Sequence, residues 1–226
     1  MAGVFLGLAI LAVSVALPPD GAINVWVLPP ALLLIGYWTS GLLFVAPMPR
    51  AERWLASIDA RLRIQPLAAR FPAPLVELLE FAYSGVYVLF PIALYLGLRQ
   101  GVSADRFWSV VLFTDYVCFA TLPWFQTRPP RAVGFDAPWA SRWRPVNLRM
   151  LAAGSVQVNT FPSGHAAEAL ACALLVSGAP APIAAWMFFN AAAISAGAVF
   201  GRYHYAADAL AGWAVALVIY SWSVRL

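Results

Sequence analysis

Seven runs of apolar residues follow one another along the chain, at about 2–18, 28–46, 74–98, 106–125, 163–178, 181–200 and 205–223. Crossing the hydrocarbon core of a bilayer takes roughly 20 helical residues, with a usable range of about 17–25. No water is present there to satisfy the backbone, so such a chain closes its hydrogen bonds within helices. The expected fold class is all-α: a polytopic transmembrane helix bundle of six core helices with an extra N-terminal one. Composition agrees. Of 226 residues, 62% are hydrophobic and 11% charged, whereas soluble domains carry about 45–50% apolar and about 25% charged residues. The excess excludes a soluble enzyme, a nucleic-acid partner and a disordered linker.

The first run lacks the positively charged start and the small-residue cleavage site of a secretory signal, so it reads as a retained helix. Pro18-Pro19-Asp20-Gly21 makes a turn after it, and the short link from Ser177 to Pro182 forces the fifth and sixth spans into an antiparallel hairpin. With no internal repeat, residues 1–226 are expected to form a single membrane-embedded catalytic domain. Two connections are not simple turns. Residues 49–72 carry Arg50, Arg53, Arg61, Arg63 and Arg70, with Trp54, Leu55, Ile58 and Leu62 at helical spacing. That pattern fits an amphipathic helix lying in the interface. Residues 126–162 are the longest polar stretch, with five arginines beside Trp139 and Trp143, and a loop of that length usually has a function. Cys118 and Cys172 sit inside apolar runs and read as packing residues.

The chain has two histidines, and the topology brings them together. His165 begins the fifth span and His204 precedes the seventh, so the chain runs down one helix and back up the next between them. Both are expected at one membrane surface, on the face that also holds 49–72 and 126–162. Phe161-Pro162-Ser163-Gly164-His165 opens a helix whose free N–H groups can bind an anion. Arg128 and Arg131 flank a proline pair and offer guanidinium forks for phosphate. Asp208 follows His204 by one helical turn, within reach of its imidazole. Each feature has a plain structural reading: a helix start, a cap, an arginine anchored among headgroups. Their convergence on one face is what points to phosphoryl chemistry. No carboxylate or thiolate set at ligand spacing surrounds the histidines, so no metal and no cofactor is expected.

Arg128-Pro129, Pro162-Ser163-Gly164-His165 and His204-x-x-x-Asp208 resemble, in order, the three signature motifs of the type-2 phosphatidic acid phosphatase superfamily. The resemblance spans roughly residues 28–223. It implies metal-independent catalysis through a phosphohistidine, with His204 as nucleophile, Asp208 as its orienting carboxylate and His165 as general acid. It further implies that Arg128, Ser163 and Gly164 hold the phosphoryl oxygens. Two positions depart from the family pattern. Thr121 stands where the first motif has a Lys, in a chain without lysine, and Ala198 stands where the third has an Arg. Arg131 and Arg202 are the expected substitutes, because positive charge must face the phosphate. Arg128-Pro129-Pro130-Arg131 and Gly201-Arg202-Tyr203-His204-Tyr205 look more like the branch that includes inositol phosphorylceramide synthases and related phosphotransferases.

The expected function is a lipid-phosphate phosphatase of phospholipid metabolism, with a lipid phosphate or pyrophosphate as substrate. A phosphotransferase with a polyol acceptor such as inositol is the alternative enzyme. A non-catalytic transporter or scaffold is the alternative of another class. Asp115, Glu77, Glu80 and Glu168 lie inside spans, where an acid is costly. The first three read as buried partners for arginine or a hydroxyl. For Glu168, three residues after His165, partner and catalyst stay open. At least ten of the fourteen arginines fall on the face assigned to the chemistry. The positive-inside rule would make that face cytoplasmic, whereas the resemblance implies a cell-membrane enzyme whose site faces outward. Arginines retained for phosphate weaken the rule, and the outward assignment is adopted.

Overall fold

The computed structural model describes residues 21–225, together with 8, 9, 12, 13, 15, 17 and 18. The expected first helix, 2–18, lies for most of its length outside the described residues. Among the described residues the chain forms α-helices and one 3-10 turn, with no β-strand. In chain order they are α1 (Ala22–Trp26), α2 (Leu28–Gly41), α3 (Pro49–Arg61), α4 (Ile64–Ala68), α5 (Ala73–Arg99), α6 (Ala104–Ala120), the 3-10 turn Pro130–Val133, α7 (Arg144–Gly154), α8 (Gly164–Leu175), α9 (Ala181–Phe200) and α10 (Ala206–Ser223). Proline occupies one of the first two positions of α2, α3, α5, α7 and α9. Its missing N–H costs nothing there, because first-turn N–H groups have no partner within the helix.

Four helices are long and apolar enough to cross a membrane: Ala22–Gly41, Ala73–Arg99, Ala181–Phe200 and Ala206–Ser223. The chain is a helical membrane protein. Large apolar side chains on their outer faces, such as Val88, Leu210 and Val218, are exposed, as lipid contact demands. The apolar runs at 106–125 and 163–178 also suggest spans; there α6 has 17 residues, at the lower end of the usable range, and α8 has 12. A helix of that length rises about 18 Å, against a hydrocarbon core of roughly 30 Å.

Helix α8 sits at the centre, packed on α5, α6, α9 and α10. Its small residues explain this. Ala166, Ala167, Ala169, Ala171, Cys172 and Ala173 are fully buried, and small side chains let helix backbones approach in lipid. Helices α9 and α5 also approach closely, where a Cβ on Gly197 would stand 2.4 Å from the Leu79 carbonyl oxygen.

The stretch 126–162 is not structureless. Helix α7 forms inside it, anchored on the buried acid that the sequence assigns to an arginine partner. Glu80 accepts hydrogen bonds from Arg144 Nη1 at 2.9 Å, Asn147 Nδ2 at 2.8 Å, Trp139 Nε1 at 2.9 Å and the Tyr203 hydroxyl at 2.5 Å. Glu77 accepts from Ser141 Oγ and the Arg142 N–H. The segment 49–72 is helical as expected, with a different face inward. Trp54 and Leu62 are exposed, while Glu52, Leu55 and Asp59 are buried. These three lie at i, i+3 and i+7, on one side of α3.

Candidate active site

His204 is set by the turn that joins α9 to α10. The Ala198 carbonyl accepts the N–H groups of both Tyr203 and His204, each at 2.9 Å, and Arg202 adopts the left-handed backbone at φ 64°. A non-glycine residue in that region needs its surroundings to hold it. Here Arg202 Nη1 pairs with Asp59 Oδ2 at 2.6 Å and Nε donates to the Phe135 carbonyl at 3.1 Å. The other Asp59 oxygen accepts the Ala206 N–H at 2.9 Å, at the start of α10.

His165 is set by the start of α8. The Ser163 side chain caps that helix by accepting the Ala166 N–H, and the Ser163 N–H donates to the Asp208 carbonyl at 2.9 Å. Motifs from the two ends of the α8–α9 hairpin are thus joined through backbone. The contact needs glycine one turn beyond Asp208, since a Cβ on Gly212 would stand 2.5 Å from the Ser163 carbonyl oxygen.

The two imidazoles meet, with ring centroids 6.3 Å apart. Tyr83 stacks on His165 at 5.5 Å and 13°, Tyr87 meets it edge-on, and the Tyr87 hydroxyl lies 3.4 Å from Nε2. Tyr83 in turn stacks on Tyr203 at 4.0 Å, and the Arg131 guanidinium lies over the Tyr203 ring at 5.5 Å. Burial, with Glu80 beside it, pushes the Tyr203 phenol above its ordinary value, so it keeps the proton that it donates to Glu80. Asp208 Oδ2 lies 3.4 Å from His204 Nδ1.

A cavity of about 580 Å³ opens from this cluster into the bundle. His165, His204, Gly164, Arg131, Asp115 and Glu168 line it, and the rest of the wall is mostly aromatic and aliphatic. One end carries two imidazoles and a guanidinium, and apart from Asp115 and Glu168 most of the remaining wall is apolar. That arrangement suits a phosphate ester with a hydrophobic tail.

Not every residue singled out in the sequence lines the cavity. Ser163 is fully buried and occupied as a helix cap. Arg202 is committed to Asp59 and the Phe135 carbonyl, which turns its guanidinium away from the cavity. Arg128 is held by Glu52 through a bidentate pair at 2.9 Å, with its backbone N–H at 3.0 Å from the same carboxylate. The hydrogen bond from Arg128 holds the Glu52 carboxyl below its ordinary value. Of these three arginines, Arg131 lines the cavity. Glu52 and Asp59 are the residues that sequence reading missed. Their signal was two acids seven apart in an otherwise arginine-rich amphipathic segment.

Comparison with known families agrees with this geometry: the PAP2 superfamily matches residues 48–222, and the chain belongs to that superfamily. The match takes in α3 through most of α10 and all three motifs. Membership places the chain among membrane enzymes of the phosphatase and phosphotransferase type. Searches of curated proteins and of solved structures gave no match.

Proposed function

We propose that the protein is a membrane lipid-phosphate phosphatase acting through a phosphohistidine, on a lipid phosphate or pyrophosphate. The observation that carries this reading is the pair of imidazoles 6.3 Å apart at the head of a largely apolar cavity. His204, with Asp208 on its Nδ1 side, attacks phosphorus through Nε2. The N–P bond forms as the P–O bond to the lipid breaks, and His165 gives its proton to the departing oxygen. Water then attacks the phosphohistidine, its proton passing to His165, and phosphate leaves. Splitting one displacement into two in this way is the usual gain of a covalent intermediate. Arg131, the backbone at Gly164 and the free end of α8 neutralise the phosphoryl oxygens. Arg128 joins them once Glu52 releases it. Arg202 and Ser163 act by positioning the two motif turns. No step calls for a metal. The chain works as a single catalytic domain in the cell membrane, with its site opening outside the cytoplasm.

The test is phosphate release from a panel of lipid phosphates by purified protein in detergent, with a chelator present. Wild type should release phosphate and His204→Ala should not. Release that survives in the variant removes His204 as nucleophile, and equal performance of both in lipid movement favours a transporter or scaffold.

A second reading has its own support in the forms Arg128-Pro129-Pro130-Arg131 and Gly201-Arg202-Tyr203-His204-Tyr205, which resemble the inositol phosphorylceramide synthase-like branch. There an alcohol takes the place of water, and the phospho-headgroup passes to a polyol. Product formation that appears only when inositol or another polyol is added would select it.

A further inference from the structure

Two carboxylates in the cavity have no part in the chemistry above. Asp115, on α6, and Glu168, one turn beyond Gly164 on α8, are 1% and 6% exposed and both line the cavity. Asp115 Oδ2 and Glu168 Oε1 are buried without a partner, and among the described residues neither side chain makes a hydrogen bond or ion pair. Every other buried acid is engaged. Glu52 holds Arg128, Asp59 holds Arg202, Glu80 holds Arg144, and Asp208 faces His204. Buried carboxylates are expected to be paired or to meet a ligand.

Their position fits a ligand. Asp115 Oδ1 lies 3.1 Å from where a Cβ on Gly164 would stand, beside the first turn of α8 and so next to His165. Glu168 follows on the same helix, about one turn deeper. Aromatic rings share the wall, among them Tyr37, Tyr87, Trp108 and Phe119. Arg131, the guanidinium that lines the cavity, lies over the Tyr203 ring at the histidine end. Carboxylates set among aromatic faces are suited to an ammonium group. A polyol could donate hydrogen bonds to the same oxygens but has no cation to set against the aromatic faces.

We propose that the cavity takes a lipid phosphate or phosphodiester whose headgroup bears an ammonium group, seated between Asp115 and Glu168 while the phosphoryl group faces His165 and His204. This deepens the phosphoryl-transfer reading and rests on it.

Binding to the purified protein in detergent tests the subsite without turnover. The probes are phosphocholine and 3,3-dimethylbutyl phosphate, which has carbon in place of the ammonium nitrogen, each read by the shift in melting temperature over a concentration series. Wild type should bind phosphocholine at least about tenfold more tightly, and Asp115→Asn/Glu168→Gln should lose that preference. The melting temperature without ligand reports whether the variant is folded, and the wild-type comparison stands without it. Equal binding of the two probes by wild type overturns the proposal, as does a preference that survives in a folded variant. Tighter binding of inositol phosphate than of either probe also overturns it, in favour of a polyol. Ammonium preference without phosphate release from any lipid supports the subsite while sinking the phosphatase reading. Release without ammonium preference does the reverse.

Discussion

The Asp208 oxygen that faces the His204 imidazole also holds the start of the helix that carries it. Oδ2 lies 3.4 Å from His204 Nδ1 and accepts the Tyr205 N–H at 2.9 Å. An amide oxygen can keep the second contact but cannot stabilise an imidazolium. Asp208→Asn should therefore stay folded while turnover falls by roughly 10²–10⁴-fold, the range for a positioned proton-transfer partner. Phosphate release, set beside the melting temperature, checks this. Wild-type turnover in the variant would leave Asp208 as a cap alone.

His165→Ala should slow esters with poor leaving groups far more than activated esters such as aryl phosphates, because a good leaving group needs no proton. The readout is the ratio of kcat/KM for the two substrate types. An unchanged ratio would count against an acid role for His165.

Arg128 and Glu52 make a separate prediction about substrate binding. Glu52→Gln should free the guanidinium and lower KM, whereas Arg128→Ala should raise it. If both raise KM alike, the pair is a brace and not a reserve of charge. The pH dependence has a definite sign. Because Arg128 lowers the Glu52 pKa from its ordinary value of 4.5, the pair is fully present above that value and is lost as pH falls through the lowered one. The difference in KM between wild type and Glu52→Gln should be constant above pH 4.5 and shrink only below it.

Glu80→Ala should be among the most damaging substitutions outside the catalytic groups. It strips the buried Arg144 of its 2.9 Å partner, takes the carboxylate acceptor from Trp139 and Tyr203, and loosens the stack that carries His165. Breaking a buried ion pair on one side costs about 3–5 kcal/mol. Thermal inactivation in detergent should show it, with Tyr203→Phe losing only about 1 kcal/mol for one hydrogen bond.

Gly212→Ala tests the junction between the two motifs. The added methyl would meet the Ser163 carbonyl oxygen at 2.5 Å, and overpacking of this kind costs typically about 1–3 kcal/mol. Stability and turnover should fall together, since the same contact sets His165 against His204. Loss of stability with full turnover would show that the histidines are held by other means.

The membrane character, the hairpin of α8 and α9 and the convergence of His165 with His204 were legible because they follow from apolar run length and direction alone. The motifs were legible because their residues lie close in sequence. What escaped was the inward face of α3. Trp54, Leu55, Ile58 and Leu62 made an apolar stripe, whereas Glu52 and Asp59 found partners 76 and 143 residues away. A pairing at that separation leaves no periodic trace. The same holds for α7, whose polar sequence gains its support from Glu80 on another helix. The destination of Arg202 was hidden likewise, since an arginine two residues before His204 looks the same in sequence whether it faces phosphate or a structural carboxylate.

The apolar wall of the cavity has a consequence for how a lipid would reach it. A cavity walled mostly by aromatic and aliphatic side chains, set among helices that cross the membrane, can receive a lipid sideways from the leaflet, so the tail need never enter water. The relevant concentration is then the mole fraction of substrate in the membrane or micelle, not its amount per volume of solution. Adding inert detergent at fixed total substrate should lower the rate, and raising both in proportion should leave the rate per enzyme unchanged.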